Sequence, residues 1–209
     1  MGIEPVMRPT IAELRQDVAT CKACPLWRGA TQAVFGEGPA HADVILVGEQ
    51  PGDREDVEGH PFVGPAGRLL DRALLDAGID RASVYVTNTV KHFKYVRKGK
   101  RRIHQKPNRE EIGACRQWLD GEIAALRPRA IVALGATATQ TLLGPKVKVT
   151  TIRGQIVRDS PLAPIVTATV HPSSVLRAPD EEARHDAYSA FVQDLRTIAR
   201  ALYGARKAS

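Results

Sequence analysis

The stretch Asp43-Val44-Ile45-Leu46-Val47-Gly48-Glu49-Gln50-Pro51-Gly52-Asp53 runs a short apolar segment directly into a turn of glycine, proline and polar side chains. A brief aliphatic run that ends in glycine reads as a buried strand. The Gly/Pro turn after it lets backbone approach a ligand and aims polar side chains into a cleft. Working outward, Ser83–Asn88 is β-branched and alternating, and reads as a second strand. Ala130–Leu134 and Ile165–Val170 read as two more. Helical spacing appears over residues 10–20 behind a capping Thr10, over Ala66–Ala77 with Gly78 as the stop, and over Pro107–Leu126. Ala136–Leu143 and a long Asp180–Leu202 segment complete the helices. Strands alternating with helices predict an α/β fold of three layers, α/β/α, around a central and mostly parallel sheet. In such sheets ligands bind beyond the carboxyl ends of the strands. The segments from Gly48, Asn88 and His171 each follow a predicted strand, so they should meet on one edge.

With 209 residues, 43% of them hydrophobic and 25% charged, the chain suits a single domain spanning residues 1–209. No internal repeat or linker divides it. The opening residues do not resemble a signal peptide and no apolar run is long enough to cross a bilayer, so no membrane role and a cytoplasmic location are expected. The net charge of +7 favours a polyanionic partner. Lys91–Arg109 (KHFKYVRKGKRRIHQKPNR) contains no acid, and a block of this kind is usually solvated, often disordered and often bound to nucleic acid.

Three cysteines do not make a disulfide framework. Cys21 and Cys24 form a C-x2-C pair that can reach one metal or cluster from a single turn, although zinc, a redox pair or two inert thiols are all compatible with it. Cys115, on the Pro107–Leu126 helix, could be a third ligand. His92 is the nearest candidate for a fourth, set against its alternative as a DNA-facing or merely exposed histidine. Phe62, beside glycines in PFVGPAGRLLD (61–71), suits stacking on a planar ligand, whereas an isolated aromatic would read as core.

GEQPG (48–52), PFVGPAGRLLD, VTN-VK around Asn88 and HPSS (171–174), in that order, resemble the iron–sulfur uracil-DNA glycosylases of families 4 and 5. The resemblance runs from Cys21 to about Arg177. Two departures, His92 in place of a family cysteine and an inserted basic loop (about 94–107) carrying Lys100-Arg101-Arg102-Ile103-His104, together with Gln50, are similar to the UdgX class.

That resemblance implies a [4Fe–4S] cluster held by Cys21, Cys24, His92 and Cys115, with a structural role. It implies uracil-containing DNA, including single-stranded DNA, as partner, with the target base extruded into a pocket. Asn88 would read the edge of uracil, because an amide accepts from N3–H and donates to O4. Phe62 would stack on the ring, a contact worth roughly 1–3 kcal/mol. His171 would stabilise uracil O2 as charge develops, and Ser173 and Ser174 would meet a DNA phosphate. Glu49, Gln50 and Asp53 would line the opposite side, where hydrolytic relatives orient water. His104 would attack C1′ and leave a covalent histidine–DNA bond. Lys100, Arg101 and Arg102 would contact DNA and disfavour the imidazolium, and Glu49 would take the proton from the other ring nitrogen. Two rivals remain at this level: a conventional glycosylase that releases an abasic site, and a non-catalytic, metal-containing nucleic-acid-binding protein. A monomer is expected.

Overall fold

The computed structural model describes residues 9–204. In chain order these are α1 (Ile11–Ala19), β1 (Val44–Gly48), α2 (Asp53–Glu58), α3 (Pro65–Asp76), β2 (Val84–Asn88), β3 (Tyr95–Lys98), β4 (Arg101–His104), α4 (Arg109–Leu126), β5 (Ala130–Leu134), α5 (Ala136–Leu143), α6 (Val149–Ile152), β6 (Ile165–Thr169), α7 (Pro172–Leu176) and α8 (Glu181–Tyr203). Thr10 and Asn108 start α1 and α4 as capping boxes closed by Glu13 and Glu111, so orphan amides at both helix starts are satisfied locally.

β2, β1, β5 and β6, in that order, form one parallel sheet. Successive side chains point to opposite faces, and the β1 residues show it. Val44 and Leu46 pack with Leu70, Leu74, Phe191 and Leu195 from α3 and α8. Ile45 and Val47 pack on the other face with Leu119 and Ile123 of α4. The result is the three-layer α/β/α arrangement that the alternation of elements predicts. Burying each of these large aliphatic or aromatic side chains contributes about 1.5–3 kcal/mol.

β2 forms where the second strand is expected; it alternates in residue type but is buried at all five positions. It lies at the sheet edge, and Glu37 covers that edge by exchanging two 2.8 Å backbone hydrogen bonds with Val86, which removes a free pairing edge. The basic block is not a solvated loop. Lys91 is wholly buried, and β3 and β4 form an antiparallel hairpin in the register Tyr95↔His104, Val96↔Ile103, Arg97↔Arg102 and Lys98↔Arg101. Gly99, at φ +60°, supplies the left-handed residue of its tight turn. Two of those four pairs set like charges opposite each other, which weakens an isolated hairpin. Its anchors must come from elsewhere in the molecule.

Candidate active site

The carboxyl ends of β1, β2, β5 and β6 open into a cleft of about 860 Å3. Every non-metal residue singled out from the sequence lines it, except Lys100, Arg101 and Arg102.

One wall carries Asn88, Phe62 and His171. Asn88 ends β2 and is buried. A Cβ on Gly48 would lie 2.3 Å from its Oδ1 and 2.9 Å from Phe62 Cζ, so only glycine lets the carboxamide and the ring meet here. Phe62 adopts φ +59°, a left-handed conformation uncommon for an aromatic residue. It is held there because its carbonyl packs against the first turn of α3, where a Cβ on Gly67 would come within 1.5 Å of the oxygen. The Phe62 and His171 rings stack at 6.1 Å and 27°.

His171 caps α7. Its Nδ1 lies 3.2 Å from the Ser173 backbone N–H and 2.8 Å from Ser173 Oγ. A backbone amide can only donate, so Nδ1 accepts and the neutral ring carries its proton on Nε2. Loss of hydration pushes the pKa down to about 4, against a smaller opposing pull from Glu49. The ring is therefore a neutral donor across the physiological range. The Ser173 hydroxyl also accepts from Arg177 at 3.1 Å.

Below Asn88 lies a polar network that the sequence did not reveal. Lys91 Nζ donates to Glu122 at 2.5 Å, to Thr87 Oγ1 at 2.7 Å and to the Asn88 carbonyl at 2.9 Å. Glu122 also accepts from the Tyr85 hydroxyl and the Gly36 amide, each at 3.0 Å. Lys91 and Glu122 are both completely buried, and a buried pair of this kind is retained only when its remaining donors and acceptors are satisfied.

The opposite wall is the hairpin. His104 Nε2 lies 3.1 Å from Glu49 Oε1, and Thr137 Oγ1 donates to the other Glu49 oxygen. Burial raises the Glu49 pKa, but the hydrogen bonds from His104 and Thr137 and the charges of His104 and Lys106 outweigh it and hold the carboxyl below its usual range. The ionised carboxylate can only accept, so the proton between it and His104 sits on the imidazole. Thr137 was missed because a threonine near the start of a helix carries no sequence signal of its own.

Gln50 and Arg102 anchor this wall. The Gln50 carboxamide donates to the carbonyls of Lys94 and Gln105 and accepts from the Lys94 amide, each at 3.1 Å. One side chain thus ties the two ends of the hairpin together. Arg102, whose side chain is only 14% exposed, pairs with Asp53 and, at 2.5 Å, with Asp56. It also lies over the rings of Phe93 and Tyr95. Asp56 is fully buried and holds the Thr31 amide at 2.9 Å and the Thr31 hydroxyl at 2.6 Å. The structure therefore commits Arg102 and Asp53 to each other, while Lys100 and Arg101 stay exposed beyond the cleft. Nothing in the sequence pairs Arg102 with acids about fifty positions away.

The three cysteines gather at one corner, where α1 ends and α4 passes the segment after β2 that also carries His92. All three cysteines are free. Cys24 packs with Cys115, and Trp118 touches the hydrophobic groups of both Cys21 and Cys115. Trp118 Nε1 donates to Cys21 Sγ and the Lys91 amide to Cys115 Sγ, each at 3.2 Å. Burial pushes the Cys115 thiol up to about 11 and also raises Cys24. His92 is buried next to Lys91, and loss of hydration lowers its pKa, leaving a neutral imidazole. Among the described residues no three His, Cys, Asp or Glu side chains converge closely enough for a single metal ion. Free thiols that receive N–H···S bonds, with a neutral histidine beside them, instead suit a cluster, which is broader than one ion and deprotonates the thiols that bind it.

Fold and cleft together define an α/β protein with a ligand site at the carboxyl edge of a parallel sheet, walled by an aromatic ring, an imidazole and a buried carboxamide. Comparison with known proteins carries this further: the chain belongs to the uracil DNA glycosylase superfamily, whose family model matches residues 35–196. It is similar to a type-4 uracil-DNA glycosylase of Thermotoga maritima, 42% identical over 80% of this chain and 83% of the relative. A type-4 uracil-DNA glycosylase of Pyrobaculum aerophilum is 39% identical over 81% and 86%. Another, from Sulfurisphaera tokodaii, is 35% identical over 82% and 78%.

Proposed function

We propose that the chain excises uracil from DNA and that His104 then captures the sugar as a covalent adduct. The observation that carries the second half is the His104–Glu49 pair, 3.1 Å apart at the cleft wall. Uracil enters with its ring against Phe62 and its N3–H and O4 on the Asn88 carboxamide. Cytosine presents the opposite pattern at its 4-position and leaves the amide mispaired. As the bond between C1′ and N1 breaks, its electron pair leaves with the base, and His171 Nε2–H donates to the O2 on which charge accumulates. The ring nitrogen of His104 not engaged with Glu49 gives its lone pair to C1′, and Glu49 accepts the proton from the other nitrogen. Gln50 and Asp53 serve the wall that carries His104. Ser173 and Ser174 are assigned to a flanking phosphate, and Lys100 and Arg101 to more distant backbone contacts.

A [4Fe–4S] cluster on Cys21, Cys24, Cys115 and His92 belongs to the same reading, in which it cross-links α1, α4 and the segment after β2. The enzyme is taken to act as a cytoplasmic monomer and to accept single-stranded DNA. Among the described residues no helix is long and apolar enough to cross a membrane. The similarity to type-4 glycosylases supports a second reading, in which the Glu49 side of the cleft orients water and the enzyme turns over.

One gel separates the two. The protein is mixed with an end-labelled single-stranded oligonucleotide containing one uracil, boiled in detergent and run under denaturing conditions. A heat-stable shifted band that requires uracil and disappears in His104→Ala is expected. Strand breakage after alkali, with no shift, would leave excision standing and remove capture.

A further inference from the structure

A second groove, of about 650 Å3, opens beside the excision cleft and shares Thr137 with it. Its walls come from the segment that joins β4 to α4, from the first turns of α4, and from α5 and the residues just after it. No acid lines it. Three cations do, and they differ in what they already hold. Arg116 is committed to Asp120, at 2.6 Å, and to the Thr141 carbonyl. Lys106 and Arg109 are exposed, and among the described residues neither takes part in an ion pair or side-chain hydrogen bond. Between the cations lie the apolar surfaces of Ile112 and Pro145 and the side-chain amide of Gln140.

We infer that this groove holds the nucleotides next to the uracil on one side of the same strand, with their phosphates at Lys106 and Arg109 and a base over Ile112 and Pro145. The inference rests on the uracil-excising reading. Two observations connect the groove to that site. Thr137, the shared residue, donates to Glu49, and Lys106 is close enough for its charge to act on Glu49. A strand leaving the first cleft past His104 therefore meets Lys106, two residues further along the chain, and then Arg109 at the start of α4. Ser173, Ser174 and Arg177 line the first cleft alone, so the groove adds contacts in one direction only. Unpaired cations beside apolar surface, with no acid, form a track suited to backbone phosphates and stacked bases.

The test uses oligonucleotides carrying one 2′-fluorinated deoxyuridine, whose glycosidic bond resists cleavage, extended by three nucleotides on its 5′ side only or its 3′ side only, and reads Kd by fluorescence anisotropy at several salt concentrations. Arg109 lies outside the excision cleft and occupies the first position of α4, where a cation is unfavourable, so Arg109→Gln should fold normally. Each lost phosphate contact flattens the salt dependence by roughly 0.7 in log–log slope. Arg109→Gln and Lys106→Gln are therefore expected to weaken binding of one extended substrate by about fivefold each while leaving the other unchanged. Uracil release from a trinucleotide too short to fill the groove should stay at the wild-type rate in Arg109→Gln. Equal loss on both sides would reduce the groove to general surface charge, and no loss on either side would place the strand elsewhere; either result overturns the inference. Failure of the wild-type protein to release uracil would remove the excision reading instead, and the binding asymmetry would still judge the groove.

Discussion

Asn88 stands at the end of β2 and Phe62 and His171 just before α3 and α7, whereas His104 stands on a two-stranded hairpin, and the two walls of the cleft are held by different forces. The sheet wall is fixed by close packing and backbone geometry: five buried positions in β2, a glycine under Asn88, and a glycine under the Phe62 carbonyl. The hairpin wall has exposed strands and opposed like charges, and is fixed by side chains reaching in from other elements, Gln50 at its base and Arg102 on Asp53 and Asp56. Packing tolerates little adjustment. Polar tethers can be removed one at a time, so the wall assigned to recognising the base should be all-or-none and the wall assigned to capture should be separable.

The sharpest attempt to break this contrast is Gly67→Ala. The added methyl meets a backbone oxygen rather than a flexible side chain, so α3 and Phe62 must part. A loss of about 4 kcal/mol in denaturant unfolding is expected, with uracil release lost in parallel. A stable and active Gly67→Ala protein would show that the sheet wall is softer than its packing implies.

Arg102→Ala acts on the other wall. It leaves the buried Asp56 carboxylate without its cation and should cost about 3 kcal/mol. Here function is expected to split: adduct yield falls by at least about tenfold, while uracil release by the remaining folded protein changes by less than about threefold. A parallel fall in both would mean that the walls are not independent.

The smallest effect comes from acid. The folded His171 pKa is depressed to about 4, so between the ordinary histidine value and about pH 4 the unfolded chain binds more protons than the native one. Stability from this group is fully present above pH 6.5 and is lost as the pH falls through that window, by about 2 kcal/mol once the ring's residual solvent access is allowed for. Thermal melts at pH 7 and pH 4.5 should show a loss that His171→Gln reduces. An unchanged difference in the variant would place the acid sensitivity elsewhere. Glu49, also depressed, acts in the same direction at lower pH.

The framework was legible in the chain because its signals are local. The runs 44–47 and 130–134 are aliphatic, 165–169 is rich in β-branched residues, Thr10 and Asn108 cap within three residues, and short polar segments after strands converge wherever a parallel sheet forms. Those signals were sufficient to bring the segments from Gly48, Asn88 and His171 to one edge, whereas Phe62 joined them through the family resemblance. The hairpin was not legible, because charge density reads as solvation when the partners of the charges are unknown. Lys91 belongs to the same basic run as Lys100, yet one is buried on Glu122 and the other is in solvent. The sequence by itself determined the layers and the motif-bearing edge, since those depend on periodicity and turn chemistry over a few residues. Only the tertiary structure decided which of the basic residues face inward, that Gln50 and Arg102 hold the wall bearing His104, and that Thr137 completes Glu49. Each of those depends on a polar contact between residues far apart in the chain, and such contacts leave no periodic trace.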